Sequence, residues 1–64
     1  MKKTYVLETI VSAENAEALV PHLLVDLNRQ VPAGHVVVHE RSGHVEMFNP
    51  DSPVKVQVFY REAN

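Results

Sequence analysis

The sequence predicts an α+β domain: one helix packed on one face of a three- to four-stranded antiparallel sheet, in the order β-α-β-β-β. Three observations carry that prediction. Ala16, Leu19, Val20, Leu23, Leu24 and Leu27 recur at spacings of three and four, which makes one apolar helix stripe. Val54, Val56, Val58 and Tyr60 alternate with Lys55, Gln57, Phe59 and Arg61, the period-two pattern of a half-buried strand. The chain has 64 residues, enough for a single domain spanning 1–64, since domains run roughly 50 to 250 residues.

The elements follow in chain order. Residues 4–11 contain Tyr5, Val6, Thr9, Ile10 and Val11, β-branched and aromatic types that suit a strand. Ser12 offers an N-cap, and Glu14 stands in the first turn, where the helix dipole favours acids. The helix is expected to reach about Asn28, with Pro21 kinking it or delaying its start, because proline lacks the N–H that would bond the carbonyl of Glu17. Pro32 and Gly34 end it. Residues 35–48 then read as a hairpin about a two-residue Ser42-Gly43 turn, pairing Val38 with Met47, His39 with Glu46 and Glu40 with Val45. Residues 49–53 carry a loop signal, Asn-Pro-Asp-Ser-Pro.

This register predicts the content of each sheet face. Val36, Val38, Val45 and Met47, with Val54, Val56 and Val58, should receive the helix. The opposite face should hold His35, Val37, His39, Arg41, His44, Glu46 and Phe48, joined by Lys55, Gln57, Phe59 and Arg61. Apolar groups inside a polar rim mark a surface for a partner or ligand. Val37, Phe48, Phe59 and Arg61 are therefore the candidate interface, and His35, His39 and Glu46 the candidate ligand-lining residues.

Composition narrows the function classes. Six basic side chains against eight acidic ones give a net charge of −2, which disfavours nucleic-acid binding driven by phosphate attraction. No apolar run approaches the roughly 18 residues of a membrane helix. Lys2 and Lys3 are followed too soon by Glu8 and Thr9 to open a signal peptide. A cytoplasmic protein without membrane or nucleic-acid partners is expected. The absence of cysteine removes disulfides and thiolate metal sites, the usual supports of small scaffolds. A chain this short buries only about 60 % of its unfolded surface, so self-association is expected.

Catalytic signals are sparse. Ser12, Ser42 and Ser52 lie in cap or turn contexts, where serine serves the backbone. Gly34 and Gly43 are the only glycines, too few for a phosphate loop. A metal would need three or four ligands converging at about 2.0–2.2 Å, whereas diagonal strand neighbours stand roughly 7–8 Å apart. His39 opposite Glu46 reads more simply as a cross-strand pair. Small enzymes of the tautomerase kind use an amino-terminal proline, and Lys2 follows Met1 here. No enzyme activity and no metal site are expected.

The run Glu40-Arg41-Ser42-Gly43-His44-Val45-Glu46, a short loop, and Val54-Lys55-Val56-Gln57-Val58-Phe59-Tyr60-Arg61 resembles the dodecins. The spacing from Tyr5 through Ser12 extends the likeness over nearly the whole chain. The resemblance implies a β-α-β-β fold, assembly into hollow homo-oligomeric shells, and a flavin ligand. Dodecins stack the flavin on a tryptophan at the start of the strand after the helix, a position that His35 occupies here. A family glutamine that contacts the ring falls near Pro53, and Pro21 is unlike the family. The resemblance therefore carries the fold and the oligomeric habit further than the flavin.

The expected function is a non-catalytic homo-oligomeric binding or storage module. The alternatives are a protein-interaction module, such as a phage-encoded inhibitor, meeting a host protein through its open sheet face, and a small enzyme combining His35, His39, His44 and Glu46 between subunits.

Overall fold

In the computed structural model of the chain, which describes residues 2–64, the elements are β1 (Thr4–Val11), α1 (Ala13–Arg29), β2 (His35–His44) and β3 (Val54–Glu62). The fold is α+β, with the helix against an antiparallel three-stranded sheet of spatial order β1-β3-β2. β3 is last in sequence and central in space. It is also the strand whose alternating valines are buried most completely, Val56 and Val58 at 0 % exposure. A central position gives those side chains neighbours on both flanks and the helix above.

Tyr5, Leu7, Thr9 and Val11 lie opposite Tyr60, Val58, Val56 and Val54, so these residues share the helix side of the sheet. Val11, Leu27, Val54, Val56 and Val58 form the buried core, with Leu7, Ala16, Val20, Leu23, Leu24 and Val31 packed against it. The helix stripe and the β3 alternation thus meet as their periodicities require.

The helix runs unbroken through Pro21, so it does not start late at that proline. Pro21 and Glu17 are both exposed, which lets water take up the carbonyl that proline leaves unbonded. Ser12 is the N-cap in extended conformation, but its Oγ accepts from Asn15 Nδ2 at 2.9 Å instead of from a backbone amide. At the other end Gly34 takes φ +80°, and its carbonyl accepts from the Ala63 amide at 2.9 Å.

The expected hairpin at Ser42-Gly43 does not form, and the strand expected over residues 44–48 is absent. Ser42 and Gly43 stay inside β2, opposite Val56 and Lys55, and His44 lies opposite Val54. Gly43 does not have the positive φ of a tight hairpin turn. The reversal falls instead in residues 45–53, closed by the Val45 amide donating to the Pro53 carbonyl at 2.8 Å. Ser52, 4 % exposed, organises this loop. Its Oγ donates to the Glu46 carbonyl at 3.2 Å, and its carbonyl accepts from His44 Nδ1 at 3.0 Å. Pairing β2 with β3 along its full length satisfies more backbone groups than a short hairpin would.

A β-bulge at Val38 is the other departure. Val37 lies opposite Tyr60 and His39 opposite Phe59, so Val38 has no partner of its own. The inserted residue reverses the alternation of the strand. His35 and Val37 therefore stand on the helix side, while Val36 lies on the open side opposite Arg61, the reverse of the expected assignment. Beyond the bulge, His39 and Arg41 are on the open side as expected, and His44 is on the helix side.

Candidate functional site

The sheet face away from the helix is uncovered, and the pairing register fixes its contents in four rows. They are Thr4, Arg61 and Val36; Val6, Phe59 and His39; Glu8, Gln57 and Arg41; and Ile10, Lys55 and Gly43. Val6, Ile10 and Val36 are exposed apolar residues, and Phe59 is half-buried with its ring centroid 5.8 Å from that of His39. Val36, Val6 and Phe59 lie in the first two rows, and the last two carry Glu8, Gln57, Arg41 and Lys55 with Ile10 among them. Lys55 Nζ stands 3.6 Å from Glu8 Oε2, an exposed pair of small energetic weight.

Of the four expected interface residues, Phe59 and Arg61 lie on this face. Val37 is on the helix side, and Phe48 is 93 % exposed in the connecting loop, next to Met47 at 84 %. Val6 and Ile10 complete the face and were not among the expected residues. The alternation of Val6, Glu8 and Ile10 with Tyr5, Leu7, Thr9 and Val11 in β1 is the signal that marks them.

The three residues expected to line a ligand site are not brought together. His39 faces outward beside Phe59, and Glu46 is in the loop. His35 joins an aromatic cluster on the helix side. Tyr5 and Tyr60 stack at 5.3 Å with an interplanar angle of 22°, and His35 meets them edge-on at 6.1 and 5.5 Å. His35 Nδ1 donates to the Ala33 carbonyl at 3.1 Å, which leaves Nε2 as the acceptor of the neutral ring. Lys3 Nζ lies 5.4 Å from the Tyr5 ring centroid, within cation–π range. The half-buried cluster offers stacking surface at the end of the sheet.

Among the described residues, no three His, Cys, Asp or Glu side chains stand together in a way that could hold a metal ion. No described helix is long and apolar enough to cross a membrane. Comparison with family models, curated proteins and solved structures finds nothing that matches this chain.

Proposed function

We propose that this chain is a non-catalytic homo-oligomeric binding or storage module of the dodecin kind, assembled through its open sheet face. The observation that carries the reading is the amount of surface left uncovered, with apolar residues on the open face among it. The accessible surface is 4778 Å², against roughly 4,100 Å² for a compact monomer of this mass. The radius of gyration is 12.9 Å, where about 10.7 Å is typical for the length. The surface excess is close in scale to the ~800 Å² that each partner buries in a standard interface. The molecule is a plate of 40 × 23 × 11 Å with Val6, Ile10, Val36 and Phe59 on one broad side, and a second copy would bury them.

The β-α-β-β order is the one that the resemblance to dodecins implies. His35, at the position of their ring-stacking tryptophan, belongs to the cluster with Tyr5 and Tyr60. That cluster is the place for a planar ligand.

Light scattering tests the assembly. The wild-type mass should be a multiple of 7.2 kDa, and Phe59→Asp should reduce it to a smaller species, because the interface would have to bury an unpaired carboxylate. A Phe59→Asp mass equal to the wild-type mass removes the open face as the interface. A monomeric wild type points to the reading as an interaction module for another protein.

A further inference from the structure

The open face holds, at its last two rows, a cleft of about 240 Å³ lined by Arg41, Gly43, His44, Val45, Lys55 and Gln57. Two of the six are cations. Arg41 makes no ion pair among the described residues, while Lys55 has the exposed Glu8 beside it. Gln57 lies opposite Arg41 and two residues along β3 from Lys55, and supplies both an amide donor and an acceptor.

Gly43 is the informative residue. It lies in β2 without positive φ, so no backbone requirement explains a glycine there. A Cβ built at that position would meet nothing within 4 Å, so no packing requirement explains it either. Glycine weakens a strand, and inside one it often marks the close approach of a ligand or another backbone. Because Gly43 is opposite Lys55, a side chain at position 43 would project from the open face into the cleft. Its absence is what leaves the floor open.

We propose that this cleft is a binding site for a small oxyanion, phosphate or carboxylate. Arg41 supplies a planar fork that matches either group with two parallel hydrogen bonds. Lys55 adds a second positive charge, Gln57 an amide donor, and Gly43 the space. The volume is below the roughly 300–1,000 Å³ of sites for drug-sized molecules, which limits the ligand to a small anion or the anionic end of a larger one. Glu8 is a built-in competitor, since its carboxylate already occupies Lys55. The site lies in the rows of Gln57 and Lys55, next to the row of Phe59 on the same face.

The test is titration calorimetry of the wild-type protein with inorganic phosphate and, separately, citrate, each against sodium chloride of matched ionic strength. Saturable binding is expected, with the tighter of the two probes identifying a phosphate or a carboxylate source. Arg41→Gln should weaken it by about tenfold or more, the loss of a charge-assisted bidentate contact. Glu8→Gln should tighten it by roughly twofold to fivefold, as the competing ion pair is removed. Gly43→Val should abolish binding while keeping or raising the melting temperature. Light scattering should show the wild-type mass for Arg41→Gln, which separates loss of the anion from loss of assembly. No saturable binding of either probe, or equal affinity in wild type and Arg41→Gln, overturns the proposal.

Discussion

Asn28 Nδ2 donates both to the Leu24 carbonyl at 2.7 Å and to Glu40 Oε2 at 2.8 Å, tying α1 to the edge strand β2. The helix lies mainly over β1 and β3, with a crevice lined by Leu24, Val25, Asn28, Arg29 and Glu40 between it and β2. The amide bridges that crevice. It also depends on the bulge, which returns Glu40 to the helix side beyond Val38.

Asn28→Ala should therefore destabilise the fold by about 0.5–1.5 kcal/mol, the ordinary net value of such hydrogen bonds. Glu40→Gln, which keeps an acceptor oxygen, should cost less. Circular-dichroism melts at one fixed protein concentration check the order, with roughly 4–8 °C expected per kcal/mol in a domain of this size.

Gly34 and Gly43 should respond in opposite senses to substitution. Gly34 has φ +80° and nothing within 4 Å of a built Cβ, so the cost of Gly34→Ala is purely conformational. About 1–2 kcal/mol is expected. Gly43 carries no such requirement, and there a β-branched residue should hold or improve stability. Paired urea titrations, compared at equal m-value, read the contrast.

Val58→Ala should remove roughly 2 kcal/mol, since the valine is 0 % exposed and its neighbours collapse only partly into the space left behind. With five buried hydrophobic residues among those described, this is a large fraction of the total. The urea midpoint should fall markedly, and an unchanged midpoint would show that assembly and not the single-chain core sets stability.

Riboflavin fluorescence tests the aromatic end. His35→Trp places a larger stacking ring beside Tyr5 and Tyr60, and should bind riboflavin at least about tenfold more tightly than the wild type, given the 1.4 kcal/mol that a tenfold change represents. Equal quenching by both proteins would remove this cluster as a ligand surface.

The elements were legible in the sequence because their signals are local. The stripe from Ala16 to Leu27 specifies a helix and its inner face, and the alternation from Val54 to Tyr60 specifies a strand with Phe59 and Arg61 outward. Ser12 and the loop signal at 49–53 also stand where local chemistry puts them. Ser42-Gly43 misled for the same reason. Its composition suits a turn, but the ladder to Val56 and Lys55 outweighs the local preference.

The sequence by itself determined the α+β class, the inner face of the helix and the two faces of β3. Tertiary structure decided the rest of the candidate site. His35 and His39 share a face in any regular strand, and only pairing with β3 reveals the bulge at Val38 that places them on opposite sides. The same pairing makes β3 central and brings Arg41, Gly43, Lys55 and Gln57 around one cleft. Strand order and bulges are set by contacts between distant segments, which periodicity within one segment does not encode.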